Sequence, residues 1–154
     1  FIMPLRKEKN FRGLVNSMKI LGVDYGDKRM GIAISDEIGL LAHPLTTIAD
    51  RNLNMLLDVI KENQIEAVVV GKPLNMNGTY SSKTREVLNF INELKKIVNI
   101  PVYEWDERLS TKEAERLLIG FDLSRKKRKG ILDKSSARII LQGYLDSIRI
   151  KQNV

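Results

Sequence analysis

The run IEAVVVG at residues 65–71 constrains the fold more than any other stretch of this chain. It is apolar at nearly every position and has the length of a strand. Such a continuous run is typical of a parallel strand covered on both faces, whereas a strand with one wet face alternates apolar and polar residues. The run therefore predicts a sheet with helices packed on its faces.

Three short strands precede this run. Residues 19–24 and 30–36 are apolar and rich in β-branched side chains, and the glycine-containing turn between them predicts a hairpin. Residues 40–48 read as a third strand, in which Pro44 predicts a position at a sheet edge or at a bulge. The sheet therefore begins with an antiparallel meander.

Helices and strands alternate in the rest of the chain. Apolar residues recur at helical spacing around Leu56, with Asp50 or Asn52 as the N-cap, and again around Phe90. Residues 100–105 have the length of a short strand. The buried run at residues 65–71 lies between these two helices.

Two further helices follow the last strand. A capping box predicts that the first begins at Ser110, and apolar spacing predicts that the second begins near Asp133. The order of elements predicts an α/β fold with a mixed five-stranded sheet, in which three antiparallel strands are followed by two parallel strands and helices flank both faces.

The chain has 154 residues, a length that suits one compact domain. We expect residues 18–150 to form that domain. Residues 1–17 are expected to be an extension that is non-native or derives from an upstream start, and residues 151–154 a tail. No apolar run approaches the roughly 20 residues that cross a bilayer, so we expect no membrane partner.

The composition excludes several kinds of site. There is no cysteine, which excludes disulfides, thiolate metal sites and a cysteine nucleophile, and fits a cytoplasmic protein. His43 is the only histidine, so a multi-histidine metal site within one chain is impossible. The formal net charge of +7 favours a polyanionic partner, nucleic acid first, although many basic proteins bind none.

Three acidic residues stand where the ends of separate elements meet at one edge of the sheet. Asp24 ends the first strand, Glu107 follows the last strand, and Asp133 begins the last helix. Ligands of open α/β sheets bind beyond the carboxyl ends of the parallel strands, and carboxylates gathered there can hold Mg²⁺ or Mn²⁺. Asp36 is excluded because its antiparallel strand ends at the opposite edge. Asp106 is excluded because successive side chains of a strand point to opposite faces, so only one of Asp106 and Glu107 can face the site.

Each acid also has a purely structural interpretation. Asp24 can stabilise the turn before Gly26, and Asp133 can be the N-cap of its helix. Glu107 can pair with Arg108 or lie in water. Taken singly, Asp133 and Glu107 favour the structural interpretation, whereas the three acids together favour a metal site.

Four sequence blocks in fixed order give a more specific indication. GVDYGDKRMGIAISD, VVVGKPLNMNGT, DERLST and LDKSSARIILQGYLD together resemble the YqgF-type family, also described as Holliday-junction resolvase-like proteins or as nucleases proposed to act on pre-16S ribosomal RNA. The resemblance spans about residues 18–146 and implies a ribonuclease H-like fold. The metal site that it implies falls on Asp24, Glu107 and Asp133.

The candidate nucleic-acid contacts are a run of five basic residues and the family's Gly-Pro loop, which the resemblance places on Gly71, Pro73, Asn75 and Gly78. Basic side chains beside the acidic crevice would neutralise phosphates without reading sequence, and the alternative is a solvated loop. Lys72 can likewise be only a solvated residue, and Arg29 and Arg108 can pair with carboxylates. The predicted nucleic-acid-binding residues are Arg29, Lys72, Asn75, Arg108, Arg125, Lys126, Lys127, Arg128 and Lys129.

The leading hypothesis is a metal-dependent endonuclease for structured nucleic acid, with the 5′ end of pre-16S ribosomal RNA as its substrate in ribosome biogenesis. Cleavage of Holliday junctions in recombination or repair is the alternative activity, and it would need a dimer to cut two strands symmetrically. A non-catalytic nucleic-acid-binding module is the alternative of another class. Ribosomal particles are expected as further partners, and the chain is expected to be a monomer or weak dimer.

Overall fold

The computed structural model of the chain describes residues 18–109 and 135–152, with side chains to residue 149. Five strands form one sheet with the spatial order β3-β2-β1-β4-β5. The β3–β2 and β2–β1 pairs are antiparallel, and the β1–β4 and β4–β5 pairs are parallel, which confirms the predicted mixed sheet. The strands are β1 (Ile20–Tyr25), β2 (Arg29–Ser35), β3 (Ala42–Ala49), β4 (Ala67–Lys72) and β5 (Val102–Asp106).

Helices cover the two faces of this sheet. Within the described ranges these helices are α1 (Leu53–Glu62), α2 (Ser82–Ile97) and α3 (Ser136–Gln152). One hydrophobic core joins α1 and α2 to Val68 and Val70, and a second joins α3 to Ala67 and Val69. Alternate residues of β4 are thus buried on opposite faces, as the continuous apolar run predicts. None of these helices is long and apolar enough to cross a membrane.

The close approach of α3 depends on a glycine in β1. A Cβ atom at Gly22 would lie 2.7 Å from Cβ of Leu141 and 3.0 Å from the carbonyl oxygen of Ala137. Helix α3 therefore packs on β1 at a distance that only glycine allows. This contact fixes the first turn of α3 near the carboxyl end of β1, where Asp24 lies.

Several local predictions can be compared with the structure. Asn52, rather than Asp50, caps α1, because its Oδ1 accepts the amide of Met55 at 3.1 Å. Strand β3 lies at the sheet edge, and Pro44 stands opposite the register shift between Ile32 and Ala33. Pro44 thus occupies an edge strand beside a bulge, as a residue without an amide donor requires.

Two helix starts differ from the prediction. Residues 107–109 are already helical, so that helix begins before Ser110, and the rest of it lies outside the described residues. Helix α3 is described from Ser136, and Oγ of Ser135 accepts the amide of Arg138 at 3.0 Å. Ser135 therefore fills the N-cap position that sequence reasoning offered to Asp133 as its structural role.

Candidate functional site

Asp24 lies at the carboxyl end of β1, on the face that α3 covers. It stands opposite Gly31 of β2, and a Cβ atom at Gly31 would lie 3.7 Å from both Cβ of Asp24 and Cβ of Ala137. Burial raises the pKa of the Asp24 carboxyl above its usual value. The positive charge of Lys83 and a hydrogen bond from the hydroxyl of Ser136 oppose that rise.

Glu107 follows β5 directly and lies over Gly71 of β4. A Cβ atom at Gly71 would be 3.0 Å from both Cγ and Oε2 of Glu107, and 2.4 Å from Cδ1 of Ile140. Because Gly71 has no side chain, the Glu107 carboxylate can occupy the space above it. Burial raises the pKa of Glu107 to about 7, and the negative charge of Asp24 contributes to that rise.

The two carboxylates meet because their strands are neighbours of β4. In the parallel β1–β4 pair Val23 stands opposite Val70, so Asp24 and Gly71 come one residue later on adjacent strands. Glu107 reaches the same place from β5, over Gly71. The sheet thus gathers two acids at its carboxyl edge, where the negative charge of Asp24 disfavours ionisation of Glu107.

Asp133, the third predicted acid, lies outside the described residues. Within residues 18–109 and 135–152, no group of three acidic, histidine or cysteine side chains lies together in a way that could hold a metal ion. The described part of the site therefore supplies two carboxylates. Its other contribution is the first turn of α3, in which Ser136 contacts Asp24.

Asp106 and Arg108 form a separate pair beside this site. Nη2 of Arg108 lies 2.7 Å from Oδ2 of Asp106, and Nε of Arg108 donates to both carboxylate oxygens. This contact holds the pKa of Asp106 below its usual value. Arg108 is thus paired with Asp106 and not with Glu107, and the alternation predicted between Asp106 and Glu107 is found.

The loop after β4 is a tight turn held beside the site. The amide of Asn75 donates to the carbonyl of Thr79 at 3.0 Å, and Nδ2 of Asn75 donates to Oγ1 of Thr79 at 2.9 Å. Gly78 has a φ of +87°, a conformation that favours glycine. Nη1 of Arg108 donates to the carbonyl of Met76 at 3.0 Å, which ties this loop to the end of β5.

The other predicted nucleic-acid contacts have varied surroundings. Nζ of Lys72 lies 2.8 Å from Oε1 of Glu104 and 5.6 Å from the centroid of the Tyr80 ring. Arg29 is exposed at the start of β2, and its carbonyl accepts the amide of Gly26 in the turn after Asp24. The predicted basic run, Arg125, Lys126, Lys127, Arg128 and Lys129, lies outside the described residues.

Sequence reasoning missed two residues that act on the acids. Lys83, in the first turn of α2, lowers the pKa of both Asp24 and Glu107 by its charge. Ser136, in the first turn of α3, hydrogen-bonds to Asp24. A helix that follows a parallel strand begins at the carboxyl edge of the sheet, so the position of Lys83 just after the β4 loop was a usable signal.

Asp36 lies at the other end of the sheet, as predicted. Its carboxylate accepts the amides of Leu40 and Leu41 at 2.8 and 3.2 Å and so closes the loop before β3. The preceding Ser35 accepts the amide of Ile20, the first residue of β1, at 2.8 Å. Asp36 is therefore a turn residue, one strand length away from Asp24.

Comparison with known proteins places this arrangement in context. The family model described as RuvX, Holliday junction resolvase, matches residues 18–147. A protein of Desulforamulus reducens is 47% identical over 134 residues, covering 84% of this chain and 98% of that protein. One of Geobacillus kaustophilus is 47% identical over 138 residues, covering 86% of this chain and 100% of that protein. Both are named "Putative pre-16S rRNA nuclease".

Solved structures of Thermus thermophilus RuvC share the fold. The RuvC structure matches with a TM-score of 0.56 at 18% identity, covering 87% of this chain and 97% of RuvC. The structure of RuvC in complex with a Holliday junction substrate matches with a TM-score of 0.58 at 15% identity, covering 87% and 96%. The predicted ribonuclease H-like fold is thereby confirmed.

Proposed function

Because this chain belongs to the RuvX family, we propose that it is a metal-dependent nuclease that hydrolyses phosphodiester bonds in structured nucleic acid. The observation that carries the proposal is the pair Asp24 and Glu107, half-buried at the carboxyl edge of the sheet, with the pKa of each raised. Two acids that repel each other in a crevice are a poor way to stabilise a fold. They are a suitable way to hold a cation.

A divalent cation fits these residues. Carboxylate oxygens are the ligands that Mg²⁺ and Mn²⁺ prefer, and the cation would offset both burial and mutual repulsion. Gly71 leaves room for the Glu107 carboxylate, and Ser136 orients that of Asp24. We propose that Asp24, Glu107 and Asp133 hold the metal.

Asp133 can reach this place because of its position in the chain. It stands three residues before Ser136, so its Cα atom is within about 11 Å of that of Ser136 at 3.8 Å per residue. Ser136 is itself in contact with Asp24. The third acid proposed for the metal is therefore tethered to the residue that orients the first.

The bound metal would activate a water for attack on phosphorus and stabilise the leaving oxygen. The chain's own residues would bind and orient the substrate strand. The loop at residues 73–81, held by Arg108, borders the crevice, and Arg29 is exposed beside the turn that follows Asp24. Lys72 and the run at residues 125–129 would add phosphate contacts that do not depend on sequence.

Precursor 16S ribosomal RNA is the proposed substrate, and its 5′ end the proposed site. Relatives that share 44% to 49% of their residues with this chain, over 95% or more of their own length, carry that substrate in their name. Ribosomal particles would then be partners, the reaction would take place in the cytoplasm, and a monomer or weak dimer would suffice.

Holliday junction cleavage is the second candidate, favoured by the description of the family model. The structure of RuvC with a Holliday junction substrate is matched over 96% of its length. At 15% identity that match carries the fold alone. Symmetric cleavage of a junction would require a dimer, so a monomer that cleaves RNA would favour the first candidate.

A cleavage assay tests the proposal directly. Wild-type protein and the Asp24→Asn variant would be incubated with Mg²⁺ or Mn²⁺ and one of three labelled substrates: a 16S precursor RNA, a four-way DNA junction or a linear duplex. We expect cleavage of the precursor RNA by the wild type and none by the variant. Equal activity of the variant would overturn the metal site. Binding without cleavage of any substrate would favour a non-catalytic module instead.

A further inference from the structure

Lys83 places a positive charge near Asp24 and Glu107, at the carboxyl edge of the sheet. It lies in the first turn of α2, directly after the loop that borders the site. Its Nζ is 2.9 Å from Oδ1 of Asp27, in the turn between β1 and β2, and 5.4 Å from the centroid of the Tyr25 ring. The aromatic face and the turn thus hold the ammonium beside the residue that follows Asp24.

The charge of Lys83 acts on both acids. It favours the ionised form of Asp24 and of Glu107, against the burial that disfavours it. The contacts of Lys83 with Tyr25 and Asp27, which stand one and three residues after Asp24, place its ammonium at the carboxyl edge of β1, where the scissile phosphate would approach. In the described part of the site, Lys83 is the basic residue whose effect on both acids is resolved.

The pairing of Lys83 with Asp27 is easily exchanged for another partner. The Asp27 side chain is 85% exposed, and that of Lys83 is 29% exposed. An ion pair with so exposed an acid contributes little to stability. A lysine ammonium has three donors, and the hydrogen bond to Asp27 uses one of them. The ammonium can therefore bind phosphate oxygens without loss of a buried contact.

We propose that Lys83 binds a backbone phosphate of the nucleic-acid strand that enters the crevice, and that this phosphate replaces Asp27 as the partner of its ammonium. Tyr25 supports this position, because the face of an aromatic ring attracts a cation electrostatically. This inference rests on the proposed nuclease function and assigns a substrate contact to it. It concerns binding, so it can be tested without cleavage.

The experiment measures binding in EDTA as a function of salt concentration, with two fluorescent probes: an RNA stem–loop carrying the 5′ end of a 16S precursor, and a four-way DNA junction. The plot of log K against log salt has a negative slope, and the loss of one phosphate contact reduces the magnitude of that slope by about 0.7 to 0.9. We therefore expect Lys83→Met to reduce the magnitude of the slope by that amount and to weaken binding about fivefold to tenfold at 0.1 M salt. Lys83→Arg keeps the charge and should retain the wild-type slope.

Two matched variants separate a phosphate contact from a structural tie. Asp27→Asn breaks the same ion pair from the other side, so it should bind at least as tightly as wild type if Lys83 serves the substrate. Lys96→Met removes an exposed lysine about 20 Å further along α2 and should leave the slope unchanged. Equal weakening by Asp27→Asn and Lys83→Met would overturn the proposal, as would a wild-type slope for Lys83→Met.

Thermal unfolding of each variant keeps the result interpretable. If Lys83→Met does not fold, Lys83→Gln takes its place, with the same expected slope. Wild type that binds these probes but cleaves none with Mg²⁺ or Mn²⁺ would refute the nuclease function and leave the slopes to decide on Lys83. Wild type that cleaves while Lys83→Met binds normally would refute only the role of Lys83.

Discussion

The Glu107 carboxylate lies over Gly71. If any other residue stood at position 71, its Cβ atom would lie 3.0 Å from that carboxylate. The same Cβ would come within 2.4 Å of Ile140 on α3. One position in β4 therefore controls both the placement of a proposed metal ligand and the packing of the helix that carries Ser136. Gly71 thus affects both the proposed site and the packing of α3, although it has no side chain.

Gly71→Ala should damage both stability and activity. The new methyl group must displace Ile140 and Glu107, and overpacking of this kind lowers the free energy of unfolding by about 1–3 kcal/mol. Gly31→Ala is the matched control, because its Cβ would meet Asp24 and Ala137 at 3.7 Å, an ordinary contact distance. Urea unfolding and cleavage rates of the two variants check this. Similar losses in both would contradict it.

Asp24→Asn should abolish cleavage without lowering stability. In EDTA the wild-type carboxylate is held in a crevice that disfavours its charge, so the variant should unfold at the same or a higher temperature. Mg²⁺ should raise the midpoint of the wild type and leave that of the variant nearly unchanged, because a ligand stabilises only a protein that binds it. A variant that Mg²⁺ stabilises as strongly as wild type would show that Asp24 is no ligand.

Much of this site could be predicted from the sequence, because the ends of the strands can be recognised there. Asp24 ends an apolar run and Glu107 follows one, and parallel strands bring their carboxyl ends to the same edge. The side on which Glu107 lies followed from its alternation with Asp106. The function of both acids stays a prediction, and Asp133 lies outside the described residues.

The side-chain contacts of Arg108 and Lys83 could not be predicted from the sequence in the same way. Arg108 had Glu107 and Asp106 within two residues, and only the fold determines that the guanidinium lies along Asp106 and reaches Met76. The contact of Lys83 with Asp27 spans 56 positions of sequence and depends on where α2 begins relative to the β1–β2 turn. Neither contact has a periodicity or spacing from which it could be predicted.

The pKa of Glu107, about 7, predicts how stability depends on pH in the absence of metal. The folded state binds a proton at Glu107 more tightly than the unfolded state, in which the pKa is near 4.5. Stability from this group is therefore complete below about pH 4.5 and is lost as pH rises through 7. Such a difference corresponds to about 3 kcal/mol, which partial exposure reduces to about 1–2 kcal/mol.

Glu107→Gln tests this dependence, since the amide does not titrate. Urea unfolding in EDTA between pH 5 and 8.5 should show wild-type stability falling relative to the variant, with the largest difference above pH 7.5. Mg²⁺ should reverse the order at pH 8, because it favours the ionised carboxylate. Parallel curves for the two proteins would mean that Glu107 titrates at its ordinary value.

Arg108→Lys should loosen the loop after β4 although it keeps the positive charge. Arg108 uses Nε and Nη2 on Asp106 and Nη1 on the carbonyl of Met76, and a lysine ammonium cannot reproduce that fork. Hydrogen exchange at the amide of Gly78, which donates to the carbonyl of Asn75, should become faster in the variant. Binding of nucleic acid in EDTA should keep its salt slope, since no charge is lost. A lower slope with unchanged exchange would instead identify Arg108 as a phosphate contact that needs its planar geometry, and would remove its role in holding the loop.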